Sequence, residues 1–211
     1  DAIVVYPEIV CENFLRAARV VRWLLNRPGY IGGTWSPLAA DEYTVAWSPI
    51  IDETLPVLNL QLWNDGTFHP HDLPGKEGEL FYVGKGSRLA RRPEIERART
   101  EVTREWPATH RDLAALLRRS RVLYSYDTLS GLNYEATLCG TSCVIIPNGP
   151  YTRGDLARGE LGLNGIAWGS SPGEMDRARR TLPDAWQGYL GAVAREPEAV
   201  RAFVEATQAR W

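Results

Sequence analysis

The sequence predicts an α/β protein with a buried parallel sheet in its second half. Three observations carry that prediction. Residues 121–146, RVLYSYDTLSGLNYEATLCGTSCVII, read as strand, loop, helix and strand. Glu79-Leu-Phe-Tyr-Val83 is another apolar strand, and it runs directly into the turn Gly84-Lys85-Gly86-Ser87-Arg88. Two acids, Asp127 and Glu135, stand eight positions apart across the loop and the helix start. That edge is where ligands bind in open parallel sheets, beyond the carboxyl ends of the strands.

In chain order, residues 2–6 read as a strand that Pro7 ends. Residues 12–26 read as a helix, with Phe14, Ala17, Ala18, Val21, Leu24 and Leu25 on one face. Trp23 falls on that helix as a core residue. Asn26-Arg-Pro-Gly29 stops it, and residues 30–40 form a loop. Strands follow at 43–47 and 57–62, separated by an irregular stretch. Asn64-Asp-Gly66 and Pro70-His-Asp-Leu-Pro74-Gly75 make a turn-rich linker, which places a domain boundary between Gly66 and Glu77. After the strand at 79–83, residues 101–106 read as a short strand ended by Pro107. A helix at 111–119 starts from Thr109 or His110 and turns Leu113, Leu116 and Leu117 inward. Residues 121–126 are rich in β-branched and aromatic side chains, as a buried strand should be. A helix at 132–139 ends before Gly140, and 141–146 is the next strand. Residues 147–154 are a breaker-rich loop, and 165–169 a last short strand. Ser170 or Ser171, Pro172 and Glu174 form a capping-box pattern. Two helices, near 182–195 and 197–210, complete the chain. The expected organisation is a partial N-terminal α/β domain at 1–75, a sheet domain at 76–190 and a C-terminal helix at 191–211.

Composition limits the function. The chain has 211 residues, 44% hydrophobic and 24% charged, which suits a globular protein. No apolar run approaches the length of a bilayer span, and no signal peptide is visible. A net charge of −2 argues against a general nucleic-acid binder. Three cysteines suit a reducing cytoplasm, and peripheral contact with a membrane through a local patch stays open. Cys139 and Cys143 lack zinc spacing, and His69 and His71 lack further ligands, so no metal site is read. Asp1 leads straight into a strand, and further residues are expected before it.

The candidate site residues follow from chemistry. Glycines at 84 and 86 let backbone approach a phosphate closely, and Lys85 offers a compact positive charge. It is one of two lysines in a chain whose other basic residues are arginines. Arg88, Arg91 and Arg92 are further basic residues close by. Thr128, Ser130 and Gly131 sit at a helix start, where N–H groups face anions. Taken alone, Asp127 equally suits a helix cap, Glu135 a solvated helix face and Lys85 a surface turn.

Placed between two apolar strands, Asp127-x7-Glu135 with Ala136 and Gly140 behind it resembles the donor-site motif of retaining glycosyltransferases of the GT-B fold. The resemblance covers roughly residues 79–182, with Asp at the first position where that family usually has Glu. It implies a Rossmann-like donor domain for a nucleotide-diphosphate sugar, used as substrate, with no separate cofactor. It further implies that Asp127 lies near the donor sugar, that Glu135 holds the ribose hydroxyls, and that Lys85, with Arg88, contacts the diphosphate. Gly84-Lys85-Gly86 looks like the family's basic element after the first strand of that half. The expected reaction moves a sugar to a saccharide or lipid-linked acceptor, as in surface glycan synthesis. Trp35 and Trp63 are acceptor-side candidates, since flat sugar faces stack on indoles. Two other classes stay open. A sugar-nucleotide epimerase shares the GT-B fold and would need an acid/base pair such as Glu8 and Glu12. A non-catalytic nucleotide-sugar-binding or scaffold domain would need neither.

Overall fold

The computed structural model describes residues 2–30, 39, 41–61, 64–71, 75–88, 91–147 and 149–211, with side chains except at 87 and 88. Trp35, Trp63 and the side chain of Arg88 therefore lie outside the described residues. The chain divides into two compact units. One comprises Asp1–Gln61, Arg158–Glu160 and Ala192–Trp211, the other Leu62–Ala157 and Leu161–Gly191.

The first unit holds a parallel sheet of β1 (Ile3–Pro7), β2 (Arg19–Leu24) and β3 (Tyr43–Ala46) in that order. The helix expected at 12–26 does not form. Arg19–Leu24 is the central strand, and Val20, Val21 and Leu24 are buried in it. A strand covered on both faces reads as a continuous apolar run, which period alone cannot separate from a helix. Of the rest of the expected stripe, Phe14 lies in a turn with Leu15, where the two are 68% and 71% exposed, Ala17 and Ala18 lead into β2, and Leu25 follows it. Asn13 builds that turn: its Oδ1 accepts from the Ala17 N–H at 2.9 Å, and its Nδ2 donates to the Ala17 carbonyl at 2.8 Å. The strand expected at 57–62 is reduced among its described residues to one bridge, Ala46 to Val57. Indole donors hold this segment instead, Trp23 Nε1 to the Leu58 carbonyl at 3.1 Å and Trp47 Nε1 to that of Leu60 at 3.0 Å.

The second unit is a five-stranded parallel sheet. Its strands are β4 (Glu79–Tyr82), β5 (Thr100–Val102), β6 (Val122–Ser125), β7 (Ser142–Ile145) and β8 (Ile166–Trp168). The order is β5-β4-β6-β7-β8. Every residue of β6 and β7 is buried, as parallel strands with both faces covered require. The helices are α1 (Pro93–Glu96), α2 (His110–Arg119), α3 (Gly131–Leu138), α4 (Arg153–Arg158) and α5 (Pro172–Thr181). The second half is thus the α/β parallel-sheet fold that the sequence predicts.

Several local readings need correction. The strand expected at 101–106 stops at Val102, because the Thr103 hydroxyl accepts from the Glu105 and Trp106 N–H groups and turns the chain. Helices α1 and α4 form where none was expected. Ser171 caps α5 by position but makes no side-chain bond, and Glu174 accepts from the Trp168 N–H at 3.0 Å instead. The two expected C-terminal helices are one, α6 (Asp184–Arg210), with Pro197 inside. A proline removes a single ladder bond. Apolar anchoring on both sides, at Ala185, Tyr189 and Ala192 and at Ala199 and Phe203, outweighs that loss.

Candidate functional site at the sheet's switch point

Strand order in the second sheet reverses between β4 and β6, since β5 lies on one side of β4 and β6 on the other. Loops leaving adjacent strands on opposite sides of such a point open a crevice. Here the loop after β4 carries Lys85 and the loop after β6 carries Asp127.

The structure joins these two residues. Lys85 Nζ lies 3.2 Å from Asp127 Oδ2, and the Lys85 backbone N–H donates to the same oxygen at 3.1 Å. Lys85 Nζ also donates to the Leu129 carbonyl at 2.6 Å. Burial pushes the Asp127 carboxyl above its usual range, and the Lys85 charge pulls the other way. Asp127 does not cap α3. Ser130 does, its hydroxyl accepting from the Leu132 N–H at 3.3 Å.

Gly84 and Gly86 serve this packing. Gly84 has φ +49°, and a Cβ there would stand 2.6 Å from Asp127 Oδ2 and 2.5 Å from the Tyr82 ring. At Gly86 it would stand 2.5 Å from the Tyr126 carbonyl oxygen. The close approach these glycines permit is to the end of β6. Gly86→Ala is expected to destabilise the fold by about 1–3 kcal/mol, as overpacking does. Urea denaturation measures it, and an unchanged midpoint would show that the turn shifts freely.

A cleft of about 400 Å³ opens beside this pair. Tyr82 at the end of β4, Thr103 and Arg104 after β5, Thr109 and His110 at the start of α2, and Ser130, Gly131 and Glu135 at the start of α3 line it. Two helix N-termini therefore face the same space, each contributing partial positive charge. Glu135 lies one turn into α3 and is half-buried, so it is not a solvated helix residue. Its carboxylate has no hydrogen-bond or ion-pair partner among the described residues. Burial alone raises its pKa to about 7. Burial also raises the Tyr82 phenol, with the Asp127 charge adding to the effect and the Ser130 and Arg104 side chains opposing it.

The candidate residues thus fall into two groups. Lys85, Gly84, Gly86 and Asp127 form a closed ion-paired corner, and Thr128 is buried beside them with its carbonyl accepting from Asn133 Nδ2 at 3.2 Å. Ser130, Gly131 and Glu135 line the open cleft. Arg91 is bound bidentately to Glu96, at 2.6 and 3.0 Å, so its charge is taken. The Arg92 N–H donates to the Tyr126 hydroxyl at 2.9 Å. Sequence reasoning missed Tyr82, Arg104 and His110 in the cleft wall. Tyr82 was open to discovery as a residue at the carboxyl end of the strand read at 79–83, the edge where ligands bind. The other two belong to no motif.

A scan of protein-family models and a search of curated proteins find no match to this chain.

Proposed function

We propose that the second unit binds a nucleoside-diphosphate sugar and acts as the donor side of a GT-B-like glycosyltransferase. The observation that carries this reading is the Glu135 carboxylate, unpartnered among the described residues, in a cleft at the carboxyl edge of a parallel sheet. Two adjacent ribose hydroxyls are the natural donors for both of its oxygens. The N-terminus of α3 then faces the phosphates, with Ser130 and Gly131 as backbone neighbours. In the transfer step the bond from the sugar's anomeric carbon to the diphosphate breaks, and negative charge grows on the leaving group. Lys85, beside the cleft, is the candidate to receive that charge, with Arg104 in the cleft wall as a second cation. A saccharide or lipid-linked acceptor remains the expected one.

One observation favours a non-catalytic binding module as the second reading. Lys85 and Asp127 neutralise each other, and protein fills the space beside both glycines. An epimerase draws less support, because Glu8 is buried and accepts from the Leu25 N–H at 2.8 Å.

Glu135→Gln tests the reading. Charge-assisted bonds to two hydroxyls contribute on the order of 1.5–3 kcal/mol each, so nucleotide affinity should fall at least several-fold. Stability should move the opposite way. The folded pKa of about 7 lies above the unfolded value of 4.5. The folded state therefore binds more protons between those values, and its stability falls as pH rises through that window. Glu135→Gln removes this penalty, so the variant should melt higher than the parent near pH 8 and no higher near pH 4.5. Calorimetric titration with UDP-, GDP- and dTDP-sugars and a donor hydrolysis assay complete the test. Unchanged affinity for every bound nucleotide would remove Glu135 from the site. Binding without hydrolysis or transfer would favour the binding module.

A further inference from the structure

The corner formed by Lys85 and Asp127 poses a problem for any anion that would use Lys85. Its ammonium is already shared between Asp127 Oδ2 at 3.2 Å and the Leu129 carbonyl at 2.6 Å. A diphosphate must compete with both. What becomes of Asp127 is then set by its surroundings. It is 1% exposed, and its Oδ1 has no hydrogen-bond partner among the described residues. Among the described residues, Lys85 on the turn after β4 is the cation that faces it. From β4 it meets the Tyr82 phenol, and from α3 the neutral Asn133, whose Nδ2 donates at 2.8 Å to the Asp127 backbone carbonyl rather than to the carboxylate. Ser125 on β6 likewise donates to that backbone carbonyl, at 3.0 Å. Without the ammonium the carboxylate keeps only backbone N–H groups, that of Lys85 at 3.1 Å and, more weakly, that of Leu129. A buried carboxylate stripped of its cation neutralises rather than remaining charged.

Resting on the nucleotide-sugar reading above, we propose that diphosphate binding draws the Lys85 ammonium off Asp127, and that Asp127 takes up one proton from solvent in exchange. The exchange balances in charge. Lys85 keeps its three protons and its charge, now set against phosphate. Asp127 changes from carboxylate to carboxylic acid, and the proton comes from bulk water. The pair is thus a latch that an anion of sufficient charge opens, and donor binding is linked to pH through a residue that lies outside the cleft wall. Burial already holds the Asp127 carboxyl above its usual range with Lys85 in place, in keeping with this exchange.

Titration calorimetry with UDP-glucose, GDP-mannose and dTDP-glucose, repeated in buffers of different ionisation enthalpy, counts the protons. Their diphosphodiesters do not titrate near neutrality, so the ligand is silent. Glu135 contributes equally to the parent and to Asp127→Asn, so their difference isolates Asp127. The parent should take up about one proton more per bound ligand than Asp127→Asn. Equal counts would overturn the exchange while leaving nucleotide binding intact. Should Asp127→Asn not fold, Glu135→Gln gives a second measurement, because it leaves Asp127 as the carboxylate that titrates at the site. Its affinity for the donor should rise as pH is lowered from about 8 toward about 5. A flat or falling affinity would overturn the proposal. Failure of the parent to bind any of the three sugars would remove the nucleotide reading itself.

Discussion

Lys85→Ala is expected to destabilise the protein by about 3 kcal/mol, because it strips one partner from a buried ion pair. The low end of the usual range applies, since the Lys85 side chain is 20% exposed while Asp127 is almost fully enclosed. The loss should be larger at high pH. Asp127 without its cation has a folded pKa further above the unfolded value, so stability falls as pH rises through that interval. Lys85→Ala/Asp127→Asn separates structure from function. With both charges gone, stability should return most of the way to the parent, whereas diphosphate binding should not. Binding of the bare nucleoside should be little changed in either variant, because the cleft that holds Glu135 is untouched. In a transfer assay, loss of a donor to the developing leaving-group charge costs about 3–4 kcal/mol in rate. Equal losses for nucleoside and diphosphate would make Lys85 a structural pin and nothing more. A double variant as unstable as Lys85→Ala would show that the ion pair is not the source of the instability.

The part of the site that was legible in the sequence is the part that local signals determine. β6, α3 and β7 could be placed because an apolar run, the break at 127–131 and a glycine just past the helix end all agree, and the structure puts Gly140 at φ +75° there. The meeting of Lys85 and Asp127 was not legible. It depends on β4 pairing with β6 while β5 crosses to the far side, and no local pattern reports strand order. The burial of Glu135 likewise depends on the loop after β5 and the start of α2 folding over α3. The first unit was misread for a related reason. Val20, Val21 and Leu24 are covered on both faces of a central strand, so the alternation that marks a half-exposed strand is missing. The glycines at 84 and 86 mark close approach in the sequence alone. Which group approaches, the end of β6, is decided by tertiary packing.

Arg22 shows how much that misreading concealed. On a helix it would be an ordinary surface cation. On β2 it shares a face with Val20 and Leu24, since side chains alternate along a strand, and it is 2% exposed. Its guanidinium grips Glu42 bidentately at 2.8 and 3.0 Å, donates to the Val10 carbonyl and lies 5.0 Å from the centre of the Tyr6 ring. Arg22→Met keeps the length and apolar stem of the side chain but leaves the Glu42 carboxylate buried without its cation. The expected cost is about 3–5 kcal/mol, larger than that of Lys85→Ala or Gly86→Ala because both partners of this pair are enclosed. Arg22→Met/Glu42→Leu should recover most of it, because a buried ion pair replaced by apolar side chains of similar volume is often neutral or stabilising. Urea denaturation of the parent, both single variants and the double variant gives the coupling energy directly. A cost below about 1 kcal/mol for Arg22→Met would match an exposed pair and would contradict the burial of this one. A double variant no better than the single would instead assign the loss to the Val10 and Tyr6 contacts, which the methionine cannot replace.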